Sequence, residues 1–363
     1  MNSHSSWFRP ALAGMLPYVP GEQPQGGISK TIKLNTNENP YPPPPAVIEA
    51  ITIAAKSGLQ RYPDPMANAF RRRAAEVLGL PGPEWILAGN GSDELLTILI
   101  RAMVGEGQRL RLPSPSYILY RTLAEIQGAQ WEEIRFNDDW TLPPAFSGDG
   151  DDLRLVFLPN PNSPSGTMVP PSEIAKLTEQ LPCPLVVDEA YADFADTNCL
   201  DLVRESDKVF VTRTLSKAYS LAGLRFGFVI AQPHLITELT KIKDSYNCDA
   251  LSIAAATAAI GCTDWQTKNR EQILTTRQRL EQHLAKLGFQ VTPSQANFVW
   301  CQHPRQSHKA LYEALKQHQV LVRYMNYDHW GDGLRISVGT DEQIDAAMLL
   351  LQRVMEKTDA THR

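Results

Sequence analysis

The chain has 363 residues, of which 43% are hydrophobic and 21% charged, with a formal net charge of -5. That length exceeds one ordinary core and suits two domains, and the apolar fraction is enough to fill both. The acidic balance argues against a nucleic-acid or anionic-membrane surface, so any affinity for phosphate has to come from a local arginine site.

The N-terminus lacks the basic start and apolar stretch of a signal peptide. Residues 1–32 carry Pro10, Pro17, Pro20, Pro24 and Gly26–Gly27 and read as an arm with little regular structure. The run Pro42–Pro45 is either a polyproline linker or a rigid lead-in to a helix over 46–56. The apolar periodicity that follows at once favours the helix. From Tyr62 to about Val229, helical stretches alternate with short strand-like runs at 85–88, 109–112, 153–158, 185–187, 209–211 and 227–230. Such alternation predicts an α/β fold, a mainly parallel sheet flanked by helices. A helical stretch over 233–287 follows, and then strand-like runs at 297–300, 320–323 and 334–338 predict a smaller α+β domain. The expected division is an arm over 1–32, a large domain over 33–250 and a small one over 251–363, with the arm and residues near 33–45 free to pack on the small domain.

The apolar-looking window at 251–262 is rich in small residues and too short to cross a bilayer. The five cysteines show no Cys-x-x-Cys pair and no metal-ligand spacing with the histidines. They predict reduced thiols of a soluble, cytoplasmic protein without a metal site.

Two strings carry chemistry. Val186-Val187-Asp188-Glu189-Ala190-Tyr191 ends a buried strand with a carboxylate, at the strand end where ligands bind in open α/β sheets. Thr214-Leu215-Ser216-Lys217, with Arg225 beyond it, follows the strand-like run Val209–Val211. An aldehyde cofactor needs an amine to condense with, a carboxylate to keep its pyridine nitrogen protonated, and hydroxyl or cationic groups for its phosphate. Lys217, Asp188 and the group Thr214, Ser216 and Arg225 meet these needs in turn, the kit for pyridoxal 5'-phosphate. Tyr191, just beyond Asp188, is placed to donate to the cofactor's phenolic oxygen. For Asp188–Glu189 a solvated acidic turn or a nucleotidase-type metal pair is the competing reading, the latter weakened by the absence of a phosphate-binding glycine loop before it.

With these strings the chain resembles the fold type I pyridoxal phosphate enzymes, in wording closest to the histidinol-phosphate aminotransferases, from about Tyr18 to about Gly339. The resemblance implies further roles. In Gly89-Asn90-Gly91-Ser92-Asp93-Glu94, residues Ser92, Asp93 and Glu94 mark a phosphate cradle, where the bland reading is a helix N-cap. Tyr117 stacks on the pyridine ring, unless it simply packs in the core. In Asn160-Pro161-Asn162-Ser163-Pro164 the chain departs from the family, which has asparagine at the position of Ser163; the contact to the phenolic oxygen then falls to Ser163, to a water or to Asn162. Arg335 holds the substrate's acidic end, against the alternative of an internal salt bridge, while Arg323 and Tyr18 grip a phosphate and Asn37 belongs to the substrate-binding set. Tyr62 reaches the cofactor phosphate of a neighbouring subunit, which requires a homodimer with shared sites.

The activity so implied is transfer of an amino group between histidinol phosphate and 2-oxoglutarate in histidine biosynthesis. Left open are an aromatic amino acid aminotransferase, a decarboxylase of a phosphorylated amino acid, and a non-catalytic sensor, which would need an attached DNA-binding module.

Overall fold

The computed structural model describes residues 7–9, 12, 14–15, 21–24, 31–148, 150 and 152–361. In chain order the strands among them are β1 (Ile32–Lys33), β2 (Ile86–Gly89), β3 (Arg109–Ser114), β4 (Gln130–Arg135), β5 (Leu153–Pro159), β6 (Leu185–Asp188), β7 (Val209–Thr214), β8 (Gly227–Ile230), β9 (Gln290–Thr292), β10 (Phe298–Gln302), β11 (Val320–Leu321), β12 (Arg323–Tyr327) and β13 (Gly331–Ser337). Seven form one sheet in the order β2-β8-β7-β6-β5-β3-β4, and in it only β8 runs against its neighbours. This is the predicted α/β architecture.

The central strands read as unbroken apolar runs because helices cover both faces of the sheet. Successive residues feed two cores: Val156, Val187 and Val211 face one, while Phe157, Val186 and Phe210 face the other. The same two-residue period sends Asp188 and Thr212, at the ends of β6 and β7, to the second face, where Tyr120 is buried. The edge strand β4 has no counterpart among the predicted runs. Its residues Gln130, Glu132, Glu133 and Arg135 are those of a half-solvated edge, so no apolar run marks it.

The stretch predicted as one long helix is three, Pro233–Thr240, Ala250–Gly261 and Thr263–Lys286. Asp249 starts the second, its carboxylate accepting from the N–H groups of Leu251 and Ser252. Ala250–Gly261 packs on the helices Pro45–Lys56 and Asn68–Val77, inside the core of the large sheet. A separate core, with Leu280, Leu284, Phe289, Val299, Leu334, Ile336 and Leu351, lies on the antiparallel sheet β12-β13-β10-β9. Ile273 belongs to the first core and Leu280 to the second, so the changeover runs along Thr263–Lys286 rather than at residue 250. Leu34 also sits in the second core, β1 pairs in parallel with β11, and Glu22 meets Lys316 at 3.0 Å, so the segment leading into residues 35–39 is anchored on the smaller body.

Candidate active site

Asp188 is buried at the carboxyl end of β6. One of its oxygens accepts from the Tyr120 hydroxyl at 2.7 Å and the other from Thr212 Oγ1 at 3.0 Å. Burial pushes the carboxyl up to about 6, and the two hydroxyl donors hold it back from rising further. Tyr120 is itself fixed by stacking on Phe157, 4.8 Å between ring centroids.

Lys217 follows β7 in a tight turn. Its Nζ donates to the Thr36 carbonyl at 3.0 Å and lies 5.8 Å from the centre of the Tyr191 ring. Burial lowers this ammonium to about 8, helped by Arg335 and Arg225 and opposed by Glu38 and Asp93. Glu38 is in turn paired with Lys33. The Tyr191 oxygen accepts from Asn37 Nδ2 at 2.9 Å, which leaves its own O–H to be donated. Asn37, at φ 56°, joins both bodies: its N–H and Oδ1 bond Ser337 Oγ, and its carbonyl accepts from Asn297 Nδ2.

The start of the helix Gly91–Met103 lies against β8. A methyl group on Gly227 would stand 2.7 Å from the Ser92 nitrogen, and one on Gly91 would stand 2.6 Å from the Arg225 guanidinium. Glycine at both positions therefore lets the helix start, Arg225 and the β7–β8 loop close around one small volume. Arg225 donates to Ser216 Oγ at 3.3 Å and pairs with Asp93 at 3.4 Å; Thr214 donates to Ser216 at 3.0 Å. The Tyr117 hydroxyl donates to Asp93 at 3.2 Å, and its ring lies edge-on to Tyr120. Glu94 is turned elsewhere: its carboxylate accepts from the Asn90 N–H and from Asn247 Nδ2, capping its own helix. That leaves Ser92 and Asp93 at the cradle.

On the other side, Arg335 donates to Ser163 Oγ at 2.8 Å and to the Asn35 carbonyl at 3.1 Å, with its guanidinium 5.3 Å from the Phe298 ring centre. Asn162 Nδ2 donates to the Pro115 carbonyl and to Ser165 Oγ, so its amide N–H groups are committed to the loop. Arg323 stands opposite Arg335 in the β12–β13 register, and Tyr327, pushed up to about 12 by burial, lies within the influence of both. Tyr62 is apart from this cluster, 80% exposed and stacked on Tyr246 at 4.4 Å. Tyr18 lies outside the described residues.

Glu189, the neighbour of Asp188, points to the other face of the sheet and is fully buried against Arg213, which also bonds Asp193 at 3.1 Å. This removes both the solvated-turn and the metal-pair readings of Asp188–Glu189. Tyr120, Thr212, Thr36 and Ser337 were missed by sequence reasoning. Thr212 was within reach of it, because a parallel neighbour in register with Asp188 must present its residue to the same face.

These residues fit pyridoxal phosphate. A lysine amine held near neutrality, a buried carboxylate whose two donors are neutral hydroxyls, and a glycine-walled helix start with a hydroxyl pair and an arginine meet at the ends of β6, β7 and β8. Asp188 would face the pyridine nitrogen, Lys217 would carry the aldehyde carbon, and Ser92, Thr214, Ser216 and Arg225 would hold the phosphate.

Residues 29–349 match the model of the family described as aminotransferase class I and II. The chain is 65% identical over 349 residues to a histidinol-phosphate aminotransferase of Rhodopirellula baltica, covering 96% of each. It is 46% identical to histidinol-phosphate aminotransferase 1 of Trichormus variabilis, over 93% of this chain and 96% of the relative. Among solved structures it is similar to a histidinol-phosphate aminotransferase of Sinorhizobium meliloti in complex with pyridoxal-5'-phosphate, at a TM-score of 0.83, 27% identity and coverage of 90% and 91%. An aspartate aminotransferase of Thermus thermophilus shares the fold at a TM-score of 0.78 and 20% identity, covering 90% of this chain and 92% of that one.

Proposed function

The chain belongs to the class I and II aminotransferases, pyridoxal-phosphate-dependent transaminases, and from that premise we propose that it exchanges an amino group between histidinol phosphate and 2-oxoglutarate, a step of histidine biosynthesis. The observation that carries the reading is the convergence of Lys217 and Arg335 on one stretch of backbone, the lysine donating to the Thr36 carbonyl at 3.0 Å and the arginine to the Asn35 carbonyl at 3.1 Å.

When bound, pyridoxal phosphate supplies an electron sink for the pair released at the substrate Cα. The chain's residues do the rest. Lys217, neutral above about pH 8, takes the proton from Cα and later returns one. Asp188 balances the positive charge of a protonated ring nitrogen, and Tyr120 and Thr212 keep it ionised and aimed. Tyr191 donates its O–H to the phenolic oxygen and is held in place by Asn37. Arg335 binds the acidic end of either substrate, glutamate's carboxylate or the phosphate of histidinol phosphate, since a planar guanidinium suits both. Arg323 adds charge for the phosphate.

The two bodies are two domains that meet along Thr263–Lys286, with Glu22 and the segment from Ile32 to Leu34 on the smaller one, while Arg9 donates to the Ile126 carbonyl of the larger. The enzyme is a cytoplasmic homodimer. Among the described residues no helix is long and apolar enough to cross a membrane, and the five cysteines are free thiols. Support for the dimer is an apolar groove of about 560 Å³ beside Tyr62, lined by Ala50, Pro63, Ala69, Ile253 and Ala254, with Ile53 and Leu59 exposed nearby. A second copy covers this face and receives Tyr62 at its cofactor phosphate.

The direct test supplies 2-oxoglutarate with histidinol phosphate, histidinol or phenylalanine and follows glutamate. Histidinol phosphate is the preferred donor. Equal rates with histidinol or faster turnover of phenylalanine would replace this reading with that of an aromatic aminotransferase. For the dimer, mixed subunits of Tyr62→Ala and Lys217→Ala regain activity in one site of each pair, and no recovery despite proven exchange would remove Tyr62 from the partner's site.

A further inference from the structure

The hairpin β12–β13 carries both substrate-side arginines and is joined to the large-sheet body by a contact that the chemistry above does not use. The rings of Trp140 and Trp330 stack with centroids 3.9 Å apart and planes 27° from parallel. Trp330 is at the hairpin tip, and Trp140 is in the loop that leaves β4 of the large sheet.

Each ring is presented by a backbone built for it. Trp140 itself has φ 67°, and its loop is closed by Trp140 N–H to the Asn137 carbonyl at 2.8 Å and Asn137 N–H to the Thr141 carbonyl at 2.9 Å. At the tip, His329 at φ 69° and Gly331 at φ 74° flank Trp330. The side-chain amide of Gln302 ties the Trp330 and Asp332 carbonyls to β10. Left-handed backbone at a non-glycine residue is strained, and here it occurs in Trp140 itself and in His329, the residue before Trp330. The Trp330 indole N–H is buried without a hydrogen-bond partner among the described residues, which leaves ring packing as what holds that side chain. Phe136, beside Trp140 at 5.9 Å, donates its N–H to the carbonyl of Ser114, the residue that opens the Tyr117 loop. From the stack, then, one path runs down the hairpin ladder to Arg335 and Arg323, and the other runs to the loop that carries Tyr117.

We propose that Trp140 and Trp330 form a clasp between the two bodies that positions the β12–β13 hairpin, and with it Arg335 and Arg323, over the cofactor side of the site. The inference rests on the reading of these arginines as the binders of the substrate's anionic end. The clasp lies outside the reacting groups, so its loss weakens the grip on substrate and leaves the chemical step alone.

The test uses the holoenzyme and Trp140→Ala, Trp330→Ala, the double variant and Trp140→Phe. Stacked indoles give a paired band of opposite signs in near-ultraviolet circular dichroism, and either alanine variant abolishes it while the visible absorbance of the cofactor stays. KM for both histidinol phosphate and glutamate rises roughly threefold to tenfold, the fold-change an aromatic pair carries, with kcat within about twofold. The double variant is no worse than either single one, and Trp140→Phe recovers most of the KM. Unchanged KM values with the paired band lost, or additive losses in the double variant, would overturn the proposal. Amide exchange in residues 323–337 separates it from the reading of the arginines. If Arg335→Ala also leaves KM unchanged, that reading fails, while faster exchange in Trp140→Ala still upholds the clasp and unaltered exchange removes it.

Discussion

Asp188 and Lys217 stand at the ends of strands buried on both faces of a seven-stranded sheet, whereas Arg323 and Arg335 ride on a hairpin with one half-exposed edge strand. On the first side the scaffold decides protonation. Removing water from a carboxylate and an ammonium moves both toward neutrality, to about 6 and about 8 respectively. On the second side the scaffold decides position, since guanidinium groups stay charged and their use depends on where they are held. Arg335 is aimed by Ser163 and by the Asn35 carbonyl, both outside its own sheet. The contrast teaches that the cofactor half tunes acidity through burial while the substrate half tunes geometry through contacts between the two bodies.

The contrast breaks most sharply at Lys217. Lys217→Ala is expected to lower turnover by about 10²–10⁴-fold while the phosphate and ring contacts still retain cofactor weakly. In the wild type, borohydride reduction should fix the cofactor to the peptide containing Lys217, and label on any other peptide would remove the central assignment. Asp188→Asn keeps the shape but loses the charge, so kcat falls much more than cofactor occupancy does. Tyr120→Phe removes a hydroxyl donor that stabilises the ionised carboxylate, and a loss in kcat of about tenfold is the scale of a hydrogen bond to a charged group. Near-normal turnover in both variants would place the ring nitrogen elsewhere.

On the substrate side, Arg335→Ala should impair both half-reactions by roughly tenfold to a hundredfold in kcat/KM, because one guanidinium serves both anions. Arg323→Ala should weaken histidinol phosphate more than glutamate. A ratio of the two substrates left unchanged by Arg323→Ala would show that this arginine does not read the phosphate.

The smallest effect sharpens the comparison through pH. Because burial lowers the Lys217 ammonium to about 8, the cofactor-free protein should capture pyridoxal phosphate faster as pH rises, levelling off above about 8. The sign follows from which form attacks: the neutral amine is scarce below that value. Between about 8 and the ordinary lysine range the unfolded chain holds a proton that folded Lys217 has shed, so this group's contribution to stability rises with pH there. A capture rate that keeps climbing toward pH 10 would mean that the amine is not desolvated.

By itself the sequence determined what depends on local order along the chain. Alternating apolar runs and helices define a mainly parallel sheet, and Asp188 and Lys217 fall at strand ends because the apolar runs stop there. Lys217, Asp188, Thr214, Ser216 and Arg225 were legible because their chemistry and their place on the chain coincide. Tertiary structure decided everything that needs two distant segments to meet. It put Tyr120 on Asp188, Asn37 on Tyr191, Ser163 on Arg335 and Asn247 on Glu94, and it made Glu189 the partner of Arg213. No periodicity in a single segment encodes such pairs. They arise when the strand register and the packing of two bodies bring residues tens to hundreds of positions apart within hydrogen-bond reach, and the same holds for Trp140 and Trp330.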